Sequence, residues 1–328
     1  MPQLYCSRFY KISLTLLLSY AVWGCRKPHH EPGPPPITSI PEDEIVHIPV
    51  VVHVLYNKAS FNISDEKIQT QLRVLNEDFR KKNADLSKTP AEFAGLTADA
   101  GIEFVLATKD PNGNPTNGII RVLTQVDGWN GNNPSGSIPI ADLTLFHTAQ
   151  GGSDAWPSDH YLNIWVAEMS DRNGAMGLAG YSSYPGADAQ VDGVVIDPRA
   201  FGTLVPLSPG HLLGRTATHE IGHWLNLLHI FGESDNCTST DFVDDTPSTA
   251  TRYLGIPVYP QFSCGHSNMF MNFMDYVDDE AMYLFTKGQR ERMRKTFATG
   301  GGRNKFYLNV SEKSMDKANG PNSPFQTP

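Results

Sequence analysis

The segment from His219 to His229, HEIGHWLNLLH, restricts the local backbone more tightly than any other stretch of the chain. Residues four apart on an α-helix stand one above the other, so His219 and His223 reach a single ion if this stretch is helical. Glu220 lies about 100° round the helix from His219, placed to act on a water at that ion without ligating it. His229 follows His223 by six residues, and a continuing helix would carry it away along the axis. The chain must therefore turn at about Asn226 through a left-handed residue, for which glycine is the usual choice and asparagine the next most tolerated. Three neutral imidazoles suit zinc and leave one position open, the layout of a catalytic site. With Glu220 as general base for the bound water, the pattern points to metal-assisted hydrolysis. The competing reading is a helix with incidental histidines. A chance HExxH arises on the order of once in fifty chains of this histidine content, and the third histidine lowers that about thirtyfold.

The N-terminus sets the compartment. Arg8 and Lys11 precede an apolar stretch from Ile12 to Trp23, so residues 1–24 read as an export signal too short to span a bilayer. It ends in Val22-Trp23-Gly24-Cys25, which resembles a bacterial lipobox with Cys25 as the lipidated residue. Trp23 is bulky for that motif, and an ordinary cleaved secretion signal is the alternative. The protein is thus expected at the bacterial outer membrane as a lipoprotein or outside the cell, touching membrane only through a lipid anchor. Cys6 leaves with the signal, so Cys237 and Cys264 are an even pair in an exported protein and are expected to form a disulfide. A formal charge of −9 with no basic stripe argues against nucleic acid as a partner.

The 328 residues suffice for one large domain or two small ones. Residues 25–44 form a proline-rich tether. A β-branched run from Ile48 to Tyr56 suits a buried strand, and Ser64 then caps a helix whose apolar face is Ile68, Leu72, Leu75 and Phe79. Further strands are expected at Ile102–Ala107, Ile119–Leu123, Tyr161–Ala167 and Val191–Ile196, with loop around 127–137. A last helix covers Lys287–Phe297, and residues 299–328 form a loosely ordered tail.

With its HExxH, third histidine and later methionine, the chain resembles the metzincins, and among them the pappalysin family, which includes cytophagalysin and ulilysin. The resemblance extends through IPVVVHVLYN, YLNIWV, DGVVID, DNCTSTDFVDDTP and NFMDYVDDEAMYLFTKGQRERM, covering residues 45–298 as one catalytic domain. It implies an α+β zincin fold. An upper subdomain would carry a twisted, mostly parallel sheet with backing and active-site helices. A smaller, irregular lower subdomain would carry a C-terminal helix. It implies one catalytic zinc on His219, His223 and His229, Glu220 as general base, Met274 in the turn beneath the metal and Tyr276 as oxyanion donor. Structural calcium would be held by Asp241, Asp244, Asp245 and Thr246. Asp279 would lie in the pocket that receives the residue after the scissile bond, giving cleavage N-terminal to basic residues with arginine preferred.

The chain departs from the family's pattern in two respects. Asn226 stands for the usual glycine, and Ile256 and Ala281 stand where many relatives have a second cystine. The expected activity is that of a monomeric zinc metalloendopeptidase acting on polypeptides laid along an edge strand, taken as Val191–Ile196. A cell-wall amide hydrolase and a non-catalytic surface lipoprotein on the same frame are the alternatives; the intact Glu220 argues against the second. With no cysteine between Cys25 and Cys237, latency would need another blocking group, for which Glu42, Asp43 and Glu44 are candidates.

Overall fold

The β-branched run near the start becomes the centre of the sheet, because both of its faces are covered. In the computed structural model, which describes residues 39–129, 140–170, 176–232, 234 and 236–307, β1 spans Val46–Tyr56. The export signal, Cys25, most of the tether and the tail from 308 lie outside the described residues. Alternate residues Ile48, Val50, Val52 and Val54 face the main core, while Leu55 enters a second cluster on the opposite face with Trp165 and Phe146. Parallel strands buried on both faces read as continuous apolar runs, and this one does.

β2 (Ile102–Leu106) pairs with the first half of β1 and β3 (Ile119–Leu123) with the second, both parallel. Gly118, at φ +72°, makes that changeover possible: a Cβ there would stand 2.8 Å from the Ala107 nitrogen. On the other side of β1 lie β4 (Leu162–Ala167) and then β6 (Gly193–Ile196), also parallel. β5 (Gly180–Ser182) returns antiparallel outside β6, giving the order β2-β1-β4-β6-β5. The segment expected to be the edge strand, Val191–Ile196, is therefore interior, and β5 is the edge. Three residues led by a glycine carry too little pattern to announce a strand.

α1 (Asp65–Phe79) starts as expected at Ser64, whose hydroxyl accepts from Lys67 N at 3.2 Å. Its buried face, Ile68, Leu72, Leu75 and Phe79, packs on the sheet beside α3 (Arg215–Trp224). α2 (Ala91–Ala94) is a single turn. Beyond Phe231 the chain is irregular, tied by the Cys237–Cys264 disulfide with Cα atoms 5.4 Å apart and by a small hairpin of β7 (Phe262–Ser263) and β8 (His266–Ser267). α4 (Lys287–Lys295) begins with a reciprocal cap between Thr286 and Gln289.

Packing continues past the boundary expected at 298. Arg303, Phe306 and Tyr307 are buried. Arg303 makes a bidentate pair with Asp192 at 2.9 Å, donates from Nε to the Trp224 carbonyl at 2.8 Å and lies over the Trp224 ring. The first part of the tail is thus built into the floor under the end of α3. In the same region, Arg290 donates to the Glu42 carbonyl, Arg294 to the Glu44 carbonyl, and the Tyr307 hydroxyl to the Glu44 carboxylate. Two of the candidate blocking residues are thereby engaged by α4 and the segment after it.

Candidate active site

All ten residues of α3 are buried, an unusual state for RTATHEIGHW and one that every polar side chain must justify. Arg215 is held by Asp85, by Asp78 at 3.4 Å and by the carbonyls of Asp279 and Met282. Thr218 donates to Asp78 at 2.8 Å. Asp279 Oδ2 accepts from Leu213 N and Arg215 N, placing an acid at the positive end of the helix. The helix is therefore clamped at its start.

Its end is equally determined. Asn226 takes φ +75°, as the motif requires, and its carbonyl accepts from Arg292 Nε. The turn delivers His229 to the other two imidazoles. His223 Nε2 stands 3.1 Å from His219 Nε2 and 3.0 Å from His229 Nε2. His219 donates from Nδ1 to the Phe273 carbonyl at 2.7 Å, and His223 from Nδ1 to the Leu227 carbonyl at 2.8 Å. Those bonds place the ring protons on Nδ1, so two Nε2 lone pairs face each other across 3.1 Å. Such an arrangement is repulsive unless a cation sits among the nitrogens. Burial pushes His219 down to about 3 and His223 to about 4, and lowers His229 as well, so all three are neutral, as ligation demands. Among the described residues this is the one group of histidines, cysteines and carboxylates with metal-binding spacing. The residues present fit zinc.

Met274 packs beneath. A Cβ on Gly222 would meet its Sδ at 2.5 Å, so the glycine inside HEIGH is what admits the methionine. Tyr276 is 41% exposed, with its ring 4.7 Å from that of His229. Phe231 stacks on the His229 ring at 4.9 Å and meets the Tyr276 ring edge-on at 5.3 Å. Glu220 is buried against β5: a Cβ on Gly180 would lie 3.0 Å from Glu220 Cγ and 2.9 Å from Ile196 Cδ1. Burial pushes the Glu220 carboxyl up to about 8, with Ser182 pulling the other way. A cation on the neighbouring imidazoles would draw it back down.

Two features escaped the motif. Tyr184, just past β5, places its hydroxyl 3.2 Å from His223 Nδ1. It and Tyr276 flank the imidazoles from opposite elements, and only the antiparallel return of β5 brings Tyr184 there. Asp279 is 2% exposed and serves α3 by two backbone bonds, a role its position in sequence does not signal. In the acidic loop, Asp241 accepts from Thr246 Oγ1 at 2.7 Å and from Val243 N, and Asp245 accepts from Thr286 Oγ1 and Gly288 N at the start of α4. Asp244 is exposed.

A sheet with one antiparallel edge strand, a buried helix bearing two of three converging imidazoles, and a methionine turn below them define a zinc metallopeptidase of the metzincin class. Known proteins agree. The profile of the peptidase family described as pregnancy-associated plasma protein-A matches residues 148–298. An extracellular metalloprotease of Pyricularia oryzae is 31% identical over 262 residues, covering 76% of this chain and 75% of the relative. One of Arthroderma benhamiae is 28% identical over 263 residues, 77% and 78% of the two chains. The structure of mature mirolysin of Tannerella forsythia in complex with a cleaved peptide is similar at TM-score 0.75 and 42% identity, over 82% of this chain and 98% of that one. The chain belongs to the pappalysin family and is a zinc metalloendopeptidase.

Proposed function

We propose that the protein is an exported endopeptidase that cuts polypeptides on the N-terminal side of basic residues, arginine preferred, with His219, His223 and His229 as zinc ligands. The observation that carries this reading is the convergence of three Nε2 atoms, two with their ring protons directed to backbone carbonyls, beside the buried Glu220. Zinc held there supplies a Lewis acid that polarises the scissile carbonyl and makes water a stronger acid. Glu220 takes the proton of the attacking water and returns it to the leaving nitrogen. The hydroxyl of Tyr276, a partly exposed residue beside His229, donates to the oxyanion that develops on the carbonyl. Substrate lies extended along the outer edge of β5, in the strand-addition mode.

Asp279 faces the residue after the cleaved bond. Asp78 and Asp85 hold the Arg215 guanidinium, and burial pushes the Asp279 carboxyl up, so a basic side chain brought beside it would favour its charged form. Its backbone bonds both go to Oδ2, so Oδ1 is the oxygen such a side chain would meet. Asp241, Asp244, Asp245 and Thr246 would order calcium and so brace the start of α4. Cys25 would carry lipid, and the extracellular relatives support export.

Glu220→Ala tests the central claim. It should keep one zinc by metal analysis and lose about 10²–10⁴-fold in kcat/KM on a fluorogenic peptide; residual activity within tenfold of wild type would refute the assignment. Profiling a peptide library with Asp279→Ala tests specificity, and an unchanged preference for arginine would remove Asp279 from the pocket.

A further inference from the structure

From Arg252 to Ser263 exposure alternates residue by residue, with the apolar side chains on the wrong side for burial. Leu254, Ile256, Val258 and Phe262 are 69%, 60%, 80% and 68% exposed. The residues between them face inward: Tyr253 and Tyr259 pack against Phe270, and Tyr259 also against Phe93. This segment is held rather than loose. Gly255 bridges Val277, Asp278 N donates to the Gly255 carbonyl at 2.9 Å, and Asn268 N donates to the Gln261 carbonyl at 2.8 Å. Single exposed apolar residues are ordinary, but several on one outward face of a fixed segment mark a contact surface.

The segment is joined to the catalytic residues by one carboxylate. Asp275 Oδ1 accepts from Tyr276 N at 2.7 Å and from Tyr253 N at 2.9 Å, so the start of the apolar face is tied to the residue beside the imidazoles. Pro257 and Pro260 lack N–H groups, so the segment is a poor template for an added strand and must recognise a partner through side chains.

We propose that the outward face of Leu254, Ile256 and Val258 is a subsite for apolar residues of the polypeptide substrate, continuous with the catalytic cleft. It rests on the endopeptidase reading above and names what that site selects beyond the cleaved bond. An extended chain rises about 3.3 Å per residue, so substrate residues a few positions from the bond meet this face. The backbone is then gripped by β5 and the side chains by this lower wall. The preference is for unfolded or extended segments with a β-branched or leucine-rich stretch next to a basic residue.

The test uses peptides identical around the cleaved bond, with either Val-Ile-Leu or Ser-Gly-Ser placed three to five positions away on each side in turn. Wild type should cleave the apolar version on one side about tenfold better in kcat/KM, through KM. In Leu254→Ser/Ile256→Ser/Val258→Ser that ratio should fall to about one, with thermal unfolding run alongside as a check on folding. A wild-type ratio near one on both sides, or a ratio unaltered in a folded triple variant, overturns the proposal. Binding of the same peptides to Glu220→Ala by fluorescence anisotropy separates the two claims. If wild type cleaves neither peptide the endopeptidase reading fails, while the affinity ratio still decides the subsite. Self-association of the wild type in sedimentation, abolished in the triple variant, would assign the face to a second copy of the chain and overturn the substrate assignment.

Discussion

Gly180→Ala isolates the fit between the edge strand and the catalytic helix, because Gly180 does not have positive φ and alanine suits its backbone. The added Cβ would stand 2.9 Å from Ile196 Cδ1, 3.0 Å from Glu220 Cγ and 3.1 Å from Thr216 Cγ2. Carbon atoms prefer about 3.5–4.0 Å, so each contact is short by about half an ångström or more. Ile196 can turn its terminal methyl. Glu220 and Thr216 are rooted in a fully buried helix, and the cheapest relief moves β5 outward or turns Glu220 away. Overpacking of this size costs about 1–3 kcal/mol, which lowers the unfolding temperature by a few degrees. The effect on catalysis is larger, because displacing a catalytic group by about 1 Å costs about 100-fold. Steady-state kinetics on a fluorogenic peptide, with zinc content and thermal unfolding measured on the same samples, should show kcat reduced by about 10- to 100-fold at full metal occupancy. A variant with kcat within twofold of wild type would show that β5 does not set the position of Glu220.

Three further outcomes follow from the described interactions. His53 is fully buried between Ser153 and Asn163, and desolvation lowers it to about 4. Its neutral form stabilises the fold above pH 6.5, and that contribution of about 3 kcal/mol is lost as pH falls from 6.5 towards 4. Urea unfolding of chelator-treated protein should show this slope in wild type and lack it in His53→Gln; parallel curves would contradict the assignment. Replacing both Cys237 and Cys264 with serine should destabilise by about 3–4 kcal/mol on the loop-entropy view, and a change below about 1 kcal/mol would mean the loop is held by other contacts. Arg303→Leu leaves Asp192 buried without its cation and should cost about 3–5 kcal/mol, read by denaturant midpoint. Unaltered stability there would refute the claim that residues past 298 belong to the fold.

Much of the site was legible because its constraints are local. Helical spacing places His219 and His223 together, and the six-residue gap to His229 forces a reversal that Asn226 performs at φ +75°. The strands and α1 were legible for the same reason, since a two-residue or 3.6-residue period records which face is buried. Ser64 and the Lys287 helix start carry their capping residues beside them in the chain.

What the sequence by itself determined is therefore the histidine cluster with its turn, the buried Glu220 beside it and the central strands. The tertiary structure decided what lies around them. Which strand is the edge depends on a three-residue return, β5, too short to have a period of its own. Tyr184 reaches His223 only through that return. Asp279 reads in sequence as a pocket carboxylate, and only the fold shows that it also caps α3 through amides 64 and 66 residues away. Arg303 looks like part of a polar tail until its partner Asp192, 111 residues distant, is seen beside it. The physical reason is common to all of these: a local pattern reports burial, whereas hydrogen-bond partners across the fold are chosen only when the chain closes on itself.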